Sequence, residues 1–192
     1  VKQGVAGKGG LTSYSFDGSD DYVDTSLNFD KRSFTYSGWV RPRNPNKDFG
    51  ADLIDCYDVN DSSDWARLAY RDGEAVFFTD SGGSGGDTTE LRGGNIITGW
   101  HHLVGVRDIE AGQIKLYVDS KLVASKSTKS DGVIDGDYNE VIGRRTDANN
   151  GEQVKGKLND IRIYNRALSP EEIQELYEMG NGHYARPLND QN

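Results

Sequence analysis

A chain of 192 residues with 24 glycines, 4 prolines and 10 tyrosines is long enough to bury one core and suits many short strands and turns better than a helical bundle. Its formal net charge of −9 repels phosphate backbones and argues against nucleic acid as a partner, and its single cysteine, Cys56, excludes an internal disulfide. No apolar run approaches the roughly 20 residues that a membrane-spanning helix needs, so no membrane insertion is expected.

Residues 1–10 are glycine-rich and polar and read as a lead-in. Residues 11–16 alternate as a strand, 17–21 form a turn dense in carboxylates, and Tyr22 and Val23 resume extended structure. Residues 33–41 alternate again, with Phe34, Tyr36 and Val40 on one face and Thr35, Ser37 and Trp39 on the other; Pro42 and Pro45 end the strand. Two strands, 51–57 and 65–70, flank the polar loop 58–64. Residues 74–79 return through Asp72-Gly73, a strong hairpin signal. Residues 81–86 are a glycine-serine loop without the lysine and following helix that phosphate cradling needs. Trp100, His102, Val104 and Val106 share one side of a strand over 100–107, toward the presumed core, with His101 on the other. A hairpin over 113–127 turns at Asp119-Ser120. Residues 140–143 form a short strand, and the loop 145–151 is polar.

The closing stretch, 156–177, is a strand running into a helix. Ile161 and Ile163 alternate with Asp160, Arg162 and Tyr164. Ser169 stands at the N-cap, Pro170 at the first helical position and Glu172 three residues after the serine, which predicts a capping box. Ile173, Leu176 and Tyr177 give the helix one apolar stripe. About a dozen short strands imply an all-β sandwich or barrel. With no internal repeat, the expectation is one domain over 1–180 and a polar tail over 181–192.

The acidic residues fall in turns, and no strand carries the alternating carboxylate pair that a sandwich glycosidase uses across its cleft. No serine sits in a nucleophile-elbow pattern, and no Cys/His cluster has zinc spacing. Cys56 reads as a small buried residue. Hard cations are better served, since calcium takes oxygens gathered by turns. Three stretches offer them: the turn 17–21, Asp160, and Asp58, Asn60, Ser62 and Asp64. The last lacks the glycine and terminal glutamate of a calcium loop. For ligand capture, a sugar ring stacks on an aromatic face while its hydroxyls need fixed polar partners. Tyr57, Trp65, Arg67, Tyr70 and Arg71 cluster around the acidic loop, and Arg144, Arg145, Asp147, Asn149 and Asn150 form a second polar group.

Six blocks in order, YSFDGSDDYVDT, SFTYSGWVRP, GWHHLVGVRD, IKLYVDSKLVAS, VIGRR and GKLNDIRIYNRALSPEEIQELY, resemble the laminin G-like domains of the concanavalin A-like lectin/glucanase superfamily over residues 11–180. The resemblance implies an all-β jelly roll of two antiparallel sheets without catalytic machinery. It also implies one structural calcium near the first and last strands, held by Asp17, a Gly18 carbonyl and Asp160. Asn159 stands where the family more often has a second acid. Such domains are mostly appended modules of secreted or cell-surface proteins, often beside a catalytic domain that degrades polysaccharide. The function expected is therefore a non-catalytic, lectin-like carbohydrate-binding module. Trp65 and Tyr57 are its expected aromatic platforms, with Arg67, Arg71 and Arg145, and Tyr70 beside them, reaching hydroxyls or carboxylates of a glycan. The alternatives are a protein-interaction or adhesion module and, behind it, a polysaccharide-degrading enzyme of the same fold.

Overall fold

The computed structural model describes residues 2–6 (backbone), 12–27, 29, 31–45, 50–57, 64–81, 88–128, 132–134, 139–146 and 152–181. Its strands are β1 (Lys2–Ala6), β2 (Thr12–Asp17), β3 (Val23–Asp24), β4 (Phe34–Pro42), β5 (Ala51–Tyr57), β6 (Asp64–Arg71), β7 (Glu74–Ser81), β8 (Thr89–Asn95), β9 (His101–Asp108), β10 (Gln113–Val118), β11 (Lys121–Ser127), β12 (Val141–Ile142) and β13 (Lys155–Tyr164); one helix follows, α1 (Pro170–Gly180). They form two antiparallel sheets, a seven-stranded one in the order β1-β2-β13-β4-β9-β10-β11 and a six-stranded one in the order β3-β12-β5-β6-β7-β8. This is the two-sheet sandwich with one short C-terminal helix.

Both predicted hairpins close as type I′ geometry demands, with Asp72 and Gly73 at φ 52° and 78°, and Asp119 and Ser120 at φ 51° and 65°. Two strands escape the periodicity. The lead-in contains β1, an edge strand paired only with β2. Residues 89–95 form β8, whose two glycines and two charged residues mask its inward Thr89 and Leu91.

The core between the sheets comes from alternate residues. Phe34, Tyr36 and Val40 of β4 meet Ala66, Leu68 and Tyr70 of β6 and Phe77 of β7. Gly105 lets the sheets approach closely, because a Cβ there would lie 2.2 Å from the Phe77 ring. Part of the opposite face of the seven-stranded sheet is also buried. Val104, Val106 and Tyr117 pack under α1 against Leu168, Ile173 and Leu176. His102, read as pointing into the core, lies in this second layer, where it stacks 5.1 Å from Trp39. Tyr177 closes a triangle of rings, 5.5 Å from Trp39 and 6.2 Å from His102. Burial holds the His102 imidazole down at about 4. The capping box is complete: Ser169 Oγ accepts from the Glu172 N–H, and Glu172 accepts from the Ser169 N–H at 2.9 Å.

One buried polar group crosses the fold. Lys31 Nζ lies 3.1 Å from Glu140 Oε1, and Glu140 Oε2 accepts from the Tyr36 hydroxyl at 2.7 Å. Lys31 also donates to the Cys56 sulfur at 3.4 Å. Cys56 is buried as expected, and burial pushes its thiol up to about 12, so it holds no thiolate at neutral pH.

Candidate ligand-binding face

Strand alternation turns Asp55, Tyr57, Trp65, Arg67, Arg71 and Phe78 to the outward face of the six-stranded sheet. A register shift between Asp52 and Ile54 adds a bulge to β5. Strict alternation would place Asp52 and Asp55 on opposite faces; the extra residue brings both outward. Gly143 and residues 152–154, after β12, run alongside this stretch of β5. Gly143 N–H bonds Leu53 O, Val154 N–H bonds Gly143 O, and Asp52 N–H bonds Glu152 O.

The resulting cluster alternates aromatic rings and charges. The Trp65 ring lies 5.2 Å from Tyr57 and 4.4 Å from Phe78, centroid to centroid. The guanidinium groups of Arg67 and Arg145 sit 4.6 Å and 4.5 Å from the Trp65 centroid, within cation–π range. Asp55 accepts three hydrogen bonds, from Trp65 Nε1 at 2.8 Å and from the Thr146 amide and hydroxyl at 2.8 and 2.7 Å. Arg145 pairs with Glu152 at 2.9 Å. Arg67, 4% exposed, stands 3.5 Å from Glu90, 3.6 Å from Glu152 and 3.9 Å from Asp52. Burial raises the carboxyls of Asp52 and Asp55 above the ordinary range, Asp52 well above it.

Five of the six residues expected to bind ligand therefore share one face: Tyr57, Trp65, Arg67, Arg71 and Arg145. Tyr70 does not join them. It points the opposite way, fully buried between the sheets, with its hydroxyl pushed up to about 12 by burial. Trp65 and Tyr57 are half-buried rather than free platforms, because neighbouring arginines and rings occupy their surroundings. Asp52, Asp55, Phe78, Thr146 and Glu152 are members that sequence reasoning missed. Phe78 was within reach, since it follows Glu74 and Val76 on the outward positions of β7. Residues 58–63 of the acidic loop, and Asp147, Asn149 and Asn150, lie outside the described residues.

The expected calcium geometry is not what the fold builds. Asp17 pairs in register with Lys155, five residues before Asp160 on the same strand, an offset of roughly 16 Å. Asp160 sits at a bulge with φ 49° and is held by Arg162 through two contacts of 2.7 and 3.1 Å. Among the described residues, the carboxylates that gather are Asp17, Asp20 and Asp21, with oxygens within 4.8 Å of one another. Gly18, at φ 85°, makes their turn. Asp17 Oδ1 accepts from the Ser19 N–H and Asp21 Oδ2 from the Asp17 N–H. Their remaining oxygens fit a hard cation.

Residues 17–174 match the family model Laminin_G_3, described as concanavalin A-like lectin/glucanases superfamily. No curated protein sequence gives a significant match. Among solved structures, the native heptameric SAP-like pentraxin of Limulus polyphemus is similar at TM-score 0.65 and 17% identity, covering 85% of this chain and 80% of that one. The binding domain of Paraclostridial Mosquitocidal Protein 1 is similar at TM-score 0.69 and 19% identity, covering 93% of this chain and 45% of that one. The CBM40 of Ruminococcus gnavus IT-sialidase is similar at TM-score 0.63 and 14% identity, covering 82% and 97%. The likeness at these identities is one of fold.

Proposed function

The chain belongs to the Laminin_G_3 family of the concanavalin A-like lectin/glucanases superfamily, and from that premise we propose that it is a non-catalytic, lectin-like carbohydrate-binding module of a secreted or cell-surface protein. The observation that carries this reading is the outward face of the six-stranded sheet. There Tyr57, Trp65 and Phe78 stand among Arg67, Arg71 and Arg145, with the arginines held in place by Glu90 and Glu152. A glycan seated there would use the ring edges for its apolar faces and the guanidinium groups for hydroxyls or carboxylates. A CBM40 from a sialidase and a toxin binding domain on the same fold support a binding role. The two outward aspartates favour no hydrolysis: both are fully buried, the Asp55 carboxylate accepts from Thr146, and the Asp52 N–H donates to Glu152 O. The partners in this reading are a polysaccharide or other glycan and a catalytic domain elsewhere in the parent protein. A structural calcium at Asp17, Asp20 and Asp21 belongs to the same proposal.

A glycan array with wild type and Trp65→Ala tests it. Binding to a defined glycan that falls at least about tenfold in the variant is the expected result, the loss of one stacking ring and its cation–π neighbours. Binding to no glycan, or equal binding by both proteins, would remove the proposal. The alternative, a protein-interaction or adhesion module, has one observation in its favour. Tyr14, Phe16, Val23, Ile142, Leu158 and Ile161 line a groove of about 440 Å³ at the open side of the sandwich. Tyr14 and Val23 there are 41% and 37% exposed.

A further inference from the structure

The arginines around Trp65 are not open charges. Glu90 is shared by Arg67 and Arg71, at 3.5 and 3.8 Å. Glu152 lies 2.9 Å from Arg145 and 3.6 Å from Arg67. Arg92, outward on β8, lies 3.0 Å from Asp72 and 3.6 Å from Glu74. Arg144, beside Arg145 in the chain, stands over the Tyr22 ring, 3.5 Å from its centroid. Asp80 faces Trp65 directly across the ladder and adds a carboxylate, which accepts from the Thr88 hydroxyl at 3.0 Å.

Leaving aside the buried Asp52 and Asp55, five carboxylates therefore accompany the four guanidinium groups of Arg67, Arg71, Arg92 and Arg145. The segments 58–63, 82–87 and 147–151, outside the described residues, add four aspartates to the sequence next to these strands and no lysine or arginine. An anionic sugar would have to take a guanidinium from Glu90 or Glu152, and Glu152, 7% exposed, would be left as a buried unpaired charge. A neutral sugar displaces nothing. A guanidinium has five N–H donors and a carboxylate about four acceptor sites, so a paired Arg and Glu still offer both side by side. Two neighbouring hydroxyls need such a donor and acceptor together. Glu90 suits this role, since its side chain is 33% exposed and it stands directly across from Phe78 in the ladder.

We propose that the Trp65 face selects uncharged glycans and excludes those carrying uronic or sialic acids, with the Arg67–Glu90–Arg71 bridge reading a pair of neighbouring hydroxyls. Glu90 is the residue that sets this choice: it supplies the acceptor for a hydroxyl, and it keeps two guanidinium groups from serving an anion. The inference rests on the reading of the chain as glycan-binding and narrows that reading to one class of glycan. Discrimination comes from the excess of fixed acid as much as from the contacts a neutral sugar makes.

The test is an array of matched pairs, each a neutral glycan and the same glycan bearing a uronic or sialic acid, probed with the whole chain at low and high salt. Wild type binds the neutral members, and binds their acidic partners weaker by about tenfold or more. Neutral binding changes little with salt, because no net charge is neutralised. Trp65→Ala weakens it. Glu90→Gln narrows the gap between neutral and acidic partners by about tenfold, chiefly by admitting the acidic ones. Tighter binding of the acidic partners, neutral binding that falls steeply with salt, or wild-type discrimination in Glu90→Gln overturns this inference and leaves the glycan-binding reading standing. Binding to no glycan, or equal binding by wild type and Trp65→Ala, removes both.

Discussion

Asp52 carries an unusual burden for a single side chain. It is fully buried, and among the described residues neither carboxylate oxygen accepts a hydrogen bond; its nearest cation is Arg67 at 3.9 Å. Burial, and then the charge of Asp55, raise its carboxyl well above 3.8, only partly offset by Arg67. In the window between 3.8 and that raised value, the folded protein keeps a proton the unfolded chain has released. Its contribution to stability therefore declines as pH rises through the window and stays at its low level above it. Asp52→Asn is expected to raise the melting temperature at pH 7 by a few degrees, on the order of 1 kcal/mol. The gap between variant and wild type should narrow as pH falls toward 4. Thermal melts across that range check it, and a variant that is less stable at pH 7 would contradict it. His102 works in the opposite sense. Its imidazole, held at about 4 by burial, adds stability that is complete above 6.5 and is lost as pH falls; for this reason the comparison is between two proteins and not along one pH curve.

At the scale of the element, β13 and α1 act as a unit. The strand's inward residues Leu158, Ile161 and Ile163 pack on the main core, and the helix covers the outer layer with Ile173, Leu176 and Tyr177. Each of the buried aliphatics contributes about 1.5–3 kcal/mol. The short helix depends on its first turn, where Ser169, Glu172 and Arg166 are joined by contacts of 2.6–2.9 Å. Ser169→Ala is expected to cost about 1 kcal/mol. In hydrogen exchange, protection should fall in α1 and over Trp39 and His102 before it falls in the six-stranded sheet. Uniform loss of protection through both sheets would show that the helix does not open separately. This element was legible in the sequence because capping, proline placement and 3.6-residue spacing are all local. The bulge at Asp160 was not legible. It follows from how β13 must pair with β4 on either side of it, a register between residues over a hundred positions apart.

For the whole molecule, the charge of −9 is not spread evenly. Acids gather at the turn of Asp17, Asp20 and Asp21, and cations gather across the neighbouring strands at Arg41, Arg43 and Lys157. If calcium occupies the acidic turn as proposed, EDTA lowers the melting temperature by several degrees, corresponding to about 3 kcal/mol at calcium a hundredfold above its Kd. Asp17→Asn abolishes that difference, whereas Asp160→Asn preserves it because Arg162 already holds Asp160. No change on chelation would remove the ion from the proposal. The sequence by itself determined the all-β class, both tight hairpins, the capped helix and five of the residues that share the candidate face. Those features depend on alternation and on contacts between near neighbours in the chain. Only the tertiary structure decided that Tyr70 turns into the core, that a bulge adds Asp52 to the face beside Asp55, that Glu152 reaches Arg67 and Arg145, and that Asp17 lies far from Asp160. Each of these depends on strand register and on which segments cross, and register is set by the packing of the whole sandwich rather than by any stretch of residues.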